Sequence, residues 1–163
     1  MKKELKNYAF IDGQNLHLGI RSLGWDLNYS RFFIYLYEKY SVKKAYIFLG
    51  YIKENETLYE SLKRSGFEII FKETTKTKNG KYKGNVDVDL TLNTILKKDD
   101  CQKIILVTSD GDFYPLVKHL ISENKLGRVL SPKHNLCSWL LRKYAKNKVD
   151  YLNNAKEKLK KHP

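Results

Sequence analysis

Cysteine and proline are scarce in this chain of 163 residues, which has two of the first and three of the second. The cysteines, Cys101 and Cys137, are far apart, and no Cys-x-x-Cys pair or Cys/His spacing typical of a zinc site occurs. This pattern argues against a disulfide framework and against a zinc domain. Isolated thiols are typical of a reducing compartment, so we expect a cytoplasmic protein.

Long apolar runs are missing too. No run approaches the roughly 20 residues that a transmembrane helix needs, and no apolar core of a signal peptide follows the basic N-terminal residues. We therefore expect no membrane insertion. The motifs G-x-G-x-x-G, G-x-x-x-x-G-K-[ST] and G-x-S-x-G are also absent. Their absence disfavours a dinucleotide-binding protein, a P-loop enzyme and a serine hydrolase with a nucleophile elbow.

Acidic residues are too few to balance the basic ones. Eighteen Asp and Glu stand against 31 Lys and Arg, which gives a formal net charge of +13 at pH 7, while 42% of the residues are hydrophobic. The apolar fraction is that of a folded domain. The charge favours a polyanionic partner, nucleic acid first and an anionic membrane surface second. The alternative is that the positive charge serves only solubility or reflects a lysine-rich composition.

Short apolar runs alternate with stretches of helical character, which predicts an α/β protein. The runs are continuous rather than alternating, as in strands covered on both faces. We therefore expect three layers, α/β/α, around a mostly parallel sheet of about five strands. The predicted strands are 8–11, 44–50, 67–71, 103–109 and 128–130, and the predicted helices include 30–40, 55–66, 86–98, 112–125 and 135–145.

Two basic segments stand apart from this alternation. Residues 72–84 contain five lysines around Asn79-Gly80, a dipeptide typical of hairpin turns, so they predict an exposed hairpin or loop. Residues 153–163 predict a solvated basic tail, in which a helix would be frayed. We accordingly expect one domain over 1–152 and a tail over 153–163.

Carboxylates follow two of the predicted strands. Asp12 ends the first apolar run, and Asp110 and Asp112 follow the run that ends in "ILVTS". Ligands of open parallel sheets bind beyond the carboxyl ends of the strands, so these acids meet if the two strands are neighbours. Asp87 and Asp89 begin the helix that leads into the second of these strands, and we expect that helix to start near the same edge.

A cluster of carboxylates needs a reason, because two of them about 4 Å apart cost roughly 4 kcal/mol at an effective dielectric constant of 20. A divalent cation offsets this repulsion, and a set of oxygen ligands suits Mg²⁺ or Mn²⁺. Each acid also has a simpler explanation. Asp12 can start a turn, Asp112 can cap a helix, and Asp87 or Asp89 can interact with a helix dipole.

The helix over 86–98 leaves a choice between its two first-turn acids. Helical periodicity predicts an apolar stripe of Val88, Leu92, Ile95 and Leu96. Asp87 and Asp89 border this stripe on opposite sides. Periodicity therefore does not decide which of them faces the other carboxylates.

Three motifs in order, "FIDGQN", "KGNVDVDL" and "LVTSDGDFYPLV", resemble those of the NYN domain, in the LabA-like branch of the PIN-domain-like nucleases. The resemblance covers Tyr8 to about Asp150. It implies a Rossmann-like PIN fold and hydrolysis of RNA phosphodiester bonds with one or two Mg²⁺ or Mn²⁺ ions. One departure is Asn85, which is inserted between Lys83-Gly84 and Val86.

The resemblance also implies roles for single residues. Metal binding and catalysis are implied for Asp12, Asp87, Asp110 and Asp112. Substrate positioning is implied for Asn15, Ser109 and Lys83, while Asp89 is a supporting carboxylate or a surface acid. The basic segment supplies further candidates for contact with RNA, namely Lys72, Lys76, Lys78 and Lys81. For the aromatic residues Trp25, Tyr29, Tyr51 and Tyr82 we expect core packing rather than stacking on bases.

Two other classes of function remain open at this point. An RNA-binding or regulatory module of the same fold would share the charge and the fold but would not cleave. A Toprim-like or phosphatase-like Mg²⁺ enzyme fits less well, because the first strand ends in "DGQ" rather than in a Glu or a DxD motif. Whether the chain forms a homo-oligomer is also open.

Overall fold

Six parallel strands form the central sheet of the computed structural model, which describes residues 6–83 and 85–162, with only the backbone of Tyr82 and Lys83. Their order is β3-β2-β1-β6-β7-β8. Two further strands, β4 and β5, form a separate hairpin that is described below. When the six strands of the sheet alone are counted along the chain, their order is 3-2-1-4-5-6, which is that of doubly wound folds, and the switch point lies between β1 and β6. The strands are β1 Asn7–Asp12, β2 Val42–Gly50, β3 Glu68–Lys72, β6 Ile104–Val107, β7 Leu126–Ser131 and β8 Val149–Tyr151.

Helices cover both faces of the sheet. One buried core holds side chains from helices α1, α2, α3 and α7 together with Ala9 and Ile11 of β1. A second core holds side chains from α4, α5 and α6 together with Tyr8 and Phe10. Successive residues of β1 thus face opposite layers. The helices are α1 Gly13–Ser22, α2 Tyr29–Tyr40, α3 Glu56–Ser65, α4 Asp87–Lys97, α5 Tyr114–Ser122, α6 Trp139–Ala145 and α7 Lys156–Leu159.

The predicted three-layer α/β/α architecture with a parallel sheet is confirmed. The strand count differs, because the sheet has a sixth strand, β8, whose three residues are too few to give a periodic signal. All five pairings within the sheet are parallel. In the pairing of β1 with β6, Ile11 lies opposite Val107, so Asp12 is level with Thr108 at the carboxyl edge.

The segment after β3 contains the predicted hairpin. Strands β4 (Thr75–Lys76) and β5 (Tyr82–Lys83) pair antiparallel. Gly80 closes the turn with a φ of +76°, a conformation that side chains with a Cβ disfavour. The turn is also held by a hydrogen bond from the Thr77 amide to the Lys81 carbonyl.

The C-terminal residues pack on the domain, in contrast to the solvated tail that we expected. Leu159 of α7 is fully buried in the core that contains α2. Its carbonyl accepts a hydrogen bond from the Asn28 amide, and the Lys161 amide donates to the Asp26 carbonyl. The apolar residue within a basic run therefore anchors the segment. Among the helices of the described residues, none is long and apolar enough to cross a membrane.

Candidate metal centre

Asp12 lies where β1 ends and α1 begins, and it is only 6% exposed. It is the N-cap of α1, where Oδ1 accepts a hydrogen bond from the Asn15 amide at 3.4 Å. The next residue is a glycine, Gly13, because the chain passes close to β2 at this point. A Cβ at position 13 would lie 2.9 Å from the Phe48 carbonyl oxygen. Burial raises the pKa of Asp12 to about 6, and the negative charges of Asp87 and Asp110 act in the same direction.

Asp110 lies beyond the end of the neighbouring strand, β6. Its Oδ1 accepts a hydrogen bond from the Asp112 amide at 2.9 Å, which caps the short helical turn Gly111–Phe113. The two strand ends are joined through Thr108, a buried residue that the sequence analysis missed. The Thr108 hydroxyl donates to Oδ2 of Asp12 at 3.4 Å and accepts from the Asp110 amide at 3.1 Å. The one available signal for Thr108 was a polar side chain ending an apolar strand.

Asp87, and not Asp89, faces the other carboxylates. The Asp87 amide donates to Oδ1 of Asn85 at 2.8 Å, which fixes the first turn of α4. Burial raises the pKa of Asp87, and the charges of Asp110 and Asp112 add to the effect. Asp89 instead forms an ion pair with Lys72 at 3.4 Å.

One carboxylate oxygen from each of Asp12, Asp87 and Asp110 lies within 4.8 Å of the others. We call these three residues the carboxylate cluster. Among the described residues no cation lies within ion-pairing distance of any of them. Three oxygen donors at this spacing fit a hard divalent cation, because such a cation offsets their mutual repulsion. The cluster can therefore hold a metal ion.

Asp112, the fourth predicted acid, is exposed and lies outside this group of three. It lines the same cleft, and its charge raises the pKa of Asp87. It is therefore near enough to affect the centre electrostatically. Its backbone amide, bonded to Asp110, contributes to the turn that holds that carboxylate.

Asn15 and Ser109 contact each other at the edge of the sheet. Oδ1 of Asn15 accepts hydrogen bonds from the Ser109 amide at 2.9 Å and from the Ser109 hydroxyl at 2.8 Å. The contact joins the first turn of α1 to the segment after β6. Asp12 and Asp110 lie at the two ends of this connection, so it limits their relative movement.

The predicted basic residues have different surroundings. Lys72 is paired with Asp89, whereas Lys78 and Lys81 are exposed on the hairpin, and Lys81 also lines the cleft beside the cluster. Lys76 is an exposed residue of β4. The side chains of Lys83 and of Tyr82, for which we expected core packing, lie outside the described part of the structure.

The aromatic residues that we assigned to the core are buried to different degrees. Trp25 is buried, and its indole N–H donates to Oδ1 of Asn153 at 3.0 Å. Tyr51 is partly exposed and packs on Phe71 and Tyr59. Tyr29 is half-buried and lines the cleft.

The family model of the NYN domain matches residues 7–152. No curated protein matches the chain. A crystal structure of a protein of unknown function from Vibrio parahaemolyticus is 24% identical, with a TM-score of 0.74 over 90% of this chain and 93% of that one. At this identity the likeness shows the fold alone.

A PLP-bound protein from Clostridium difficile 630 is 12% identical over 72% of this chain and 34% of that one, and its TM-score of 0.29 does not indicate a common fold. The family match, in contrast, spans the sheet and every member of the carboxylate cluster. This chain belongs to the NYN domain family, within the PIN-like nuclease superfamily.

Proposed function

We propose that this protein is a metal-dependent ribonuclease that hydrolyses phosphodiester bonds of RNA at the carboxylate cluster. The observation that carries the proposal is the approach of Asp12, Asp87 and Asp110 to within 4.8 Å in a protein of the NYN family. The order of the three sequence motifs supports the LabA-like branch. The two buried, unpaired cysteines suit a cytoplasmic location.

The proposed cofactor is one or two Mg²⁺ or Mn²⁺ ions. Such an ion, when bound, lowers the pKa of a water molecule and stabilises negative charge on a phosphoryl oxygen. Carboxylates without nitrogen or sulfur ligands are the donors that these hard cations prefer. The raised pKa of Asp12 supports the same assignment, because a buried carboxylate beside two others is better accommodated with a cation present.

The chain's own residues have distinct proposed tasks. Asp12, Asp87 and Asp110 bind the ion, and Asp112, at the exposed side of the centre, is the fourth carboxylate available to an ion or its waters. Asn15 and Ser109 hold the two strand ends in place through their mutual hydrogen bonds. Lys83 and the exposed hairpin lysines are proposed to contact phosphates of the strand, which is consistent with the net charge of +13.

Binding of RNA without cleavage is the second candidate, because the basic charge would serve that function equally well. The two functions differ in their need for the cluster. RNA binding through lysines does not require three carboxylates to lie together, whereas metal-dependent cleavage does. The presence of the carboxylate cluster therefore makes cleavage the better supported function.

The test is incubation of the purified protein with labelled single-stranded and structured RNA in Mn²⁺, in Mg²⁺ and in EDTA. Asp110→Asn and Asp99→Asn are compared in parallel; Asp99 is an exposed acid that lies outside the cluster. We expect cleavage by the wild type and by Asp99→Asn in the presence of metal, and none with EDTA or Asp110→Asn. Absence of cleavage, with salt-sensitive RNA binding retained, would overturn the proposal in favour of the binding module.

A further inference from the structure

The cleft that contains the carboxylate cluster is also lined by uncharged apolar and aromatic side chains. Its total volume is about 830 Å³, within the range of about 300–1,000 Å³ typical of small-molecule sites. Its wall includes the acids of the carboxylate cluster. The same wall includes four uncharged side chains, Leu18, Tyr29, Leu58 and Tyr59, which we call the apolar end.

Two leucines of the apolar end are exposed to solvent. Leu18 of α1 is 56% exposed and Leu58 of α3 is 38% exposed, although both line a concave surface rather than a convex one. Apolar side chains that meet in a cleft next to polar groups are a common feature of ligand sites. The two leucines therefore offer a surface that a flat, apolar group would cover.

Tyr59 gives the apolar end a fixed wall. Its hydroxyl accepts a hydrogen bond from the Ile52 amide at 2.9 Å and donates to the Gly50 carbonyl at 3.3 Å. Its ring packs edge-on against Phe71, with centroids 4.7 Å apart. Because Tyr59 is held at both its hydroxyl and its ring, a ligand would not have to order it on binding.

Tyr29 adds a hydroxyl group to the apolar end. Its ring packs on Phe67, but its hydroxyl has no hydrogen-bond partner among the residues that the structure describes. Burial raises the pKa of Tyr29 to about 12, so the hydroxyl keeps its proton at neutral pH. It is therefore a donor available to a ligand in the cleft.

We propose that the apolar end binds one nucleobase of the RNA strand whose phosphate lies at the carboxylate cluster, with Leu18 and Leu58 covering the base and the Tyr29 hydroxyl donating to one of its acceptors. This inference rests on the proposed function for the identity of the strand. It makes Tyr29 and Leu58 determinants of base preference. A base has the required combination of an apolar face and hydrogen-bonding edges.

The continuity of the cleft favours a nucleotide over other occupants. A ligand that spans both ends needs an anionic group for a metal at the cluster and an uncharged, planar group for the apolar end. A nucleotide has both within one unit. A base paired within a duplex would have to leave its stack to enter, so duplex RNA should bind the apolar end less well.

The test is an NMR titration of the whole protein, in Mg²⁺, with the four ribonucleoside 5′-monophosphates and with ribose 5-phosphate, which lacks the base. We expect shifts at Leu18, Leu58 and Tyr29 with the nucleotides. By comparison with base stacking on protein side chains, at least one nucleotide should bind about fivefold or more tighter than ribose 5-phosphate. Equal affinities, or shifts confined to the carboxylate cluster, would overturn the base site.

Matched variants identify the residues responsible. Leu58→Ala should weaken binding of the preferred nucleotide. Tyr29→Phe should reduce the difference in affinity between nucleotides with different bases by about threefold, as expected for the loss of one hydrogen bond. Leu92→Ala on α4 and Tyr37→Phe on α2 make the same changes at exposed positions outside the cleft and should have no effect. Equal effects of the control and test variants would also overturn the assignment.

The titration separates this inference from the proposed ribonuclease. If the wild type cleaves RNA but ribose 5-phosphate binds as tightly as the nucleotides, the base site is wrong and the ribonuclease stands. If the nucleotides bind at the apolar end and no RNA is cleaved under any metal condition, the base site stands and the ribonuclease is wrong.

Discussion

The side-chain oxygen of Asn15 accepts two hydrogen bonds from Ser109, one from its amide at 2.9 Å and one from its hydroxyl at 2.8 Å. These residues are 94 positions apart in the chain and belong to the segments that follow two neighbouring strands. Asp12 lies three residues before Asn15, and Asp110 directly follows Ser109. The contact therefore connects the segments that carry two of the three clustered carboxylates.

Replacing Asn15 with alanine removes the acceptor of both Ser109 donors. The two hydrogen bonds are partly buried and each contributes about 0.5–1.5 kcal/mol, so we expect Asn15→Ala to lower the free energy of unfolding by about 1–3 kcal/mol, and Ser109→Ala, which keeps the amide donor, to lower it less. A double-mutant cycle measured by urea unfolding should give a coupling energy of about 0.5–3 kcal/mol. Ser122→Ala, which removes an exposed hydroxyl bond, is the control. Strictly additive effects would contradict this role for Asn15.

Asp87 and Asp89 should respond differently to the same substitution. Asp87→Asn removes a ligand of the cluster and should weaken Mn²⁺ binding at least about tenfold, as measured by calorimetry or by the thermal shift on adding Mn²⁺. Asp89→Asn breaks a partly exposed ion pair with Lys72 and should change stability by about 1 kcal/mol or less, with Mn²⁺ binding retained. Comparable losses of Mn²⁺ binding in both variants would show that Asp89 contributes to the site.

The sequence could predict that Asp12 and Asp110 meet but could not choose between Asp87 and Asp89. The first prediction needs a parallel sheet, which the short apolar runs indicate, and adjacency of the two strands, which the sequence leaves as a condition and the observed strand order meets. The second depends on the rotation of α4 about its axis. The predicted apolar stripe was wrong: Val88, Leu92 and Leu96 are 73%, 54% and 68% exposed.

The buried side of α4 is formed instead by Leu90 and Thr94. Thr94 is accommodated there because its hydroxyl donates to the Leu90 carbonyl at 2.8 Å. A threonine that satisfies its hydroxyl within the helix behaves as an apolar residue, and hydropathy patterns do not register this. Asp87 lies three residues before Leu90, so it shares the inward-facing side of the helix.

The raised pKa of Asp12 predicts how the metal-free protein responds to pH. The folded-state pKa of Asp12, about 6, lies above the ordinary aspartate value of 3.8. The protonated carboxyl is therefore favoured in the folded state, and this contribution is complete below about pH 4 and is lost as pH rises through 6. In EDTA, Asp12→Asn should be more stable than the wild type by about 3 kcal/mol at pH 7.5, and the difference should be small near pH 4.

Urea unfolding at the two pH values measures this difference, and Mg²⁺ provides the control. Added Mg²⁺ should stabilise the wild type at pH 7.5 and should not stabilise Asp12→Asn. A destabilisation by Asp12→Asn that is equal at both pH values would instead indicate that the cap on α1 and the Thr108 hydrogen bond dominate.

The C-terminal helix should contribute to stability through one side chain. Leu159→Ala empties a fully buried position between α7 and the core around α2, and should cost about 2–5 kcal/mol in urea unfolding. Leu96→Ala removes the same side chain from an exposed position and should change stability by about 0.5 kcal/mol or less. A loss below about 1 kcal/mol for Leu159→Ala would mean that the segment is as solvated as its charge suggested.

The exposed hairpin lysines should set the salt dependence of RNA binding. Lys78 and Lys81 carry two of the positive charges on the hairpin, and each phosphate contact on a single strand contributes about 0.7 to the slope of log K against log salt concentration. In an Asp110→Asn background and EDTA, where the proposed cleavage is prevented, Lys78→Ser with Lys81→Ser should reduce that slope by about 1.4. Fluorescence anisotropy with a labelled oligonucleotide measures it between low and moderate salt. As a control, Lys158→Ser with Lys161→Ser removes the same charge from two exposed positions of the C-terminal segment. If both pairs reduce the slope equally, net charge rather than the hairpin determines binding; if only the hairpin pair does, the RNA strand passes over the hairpin beside the carboxylate cluster.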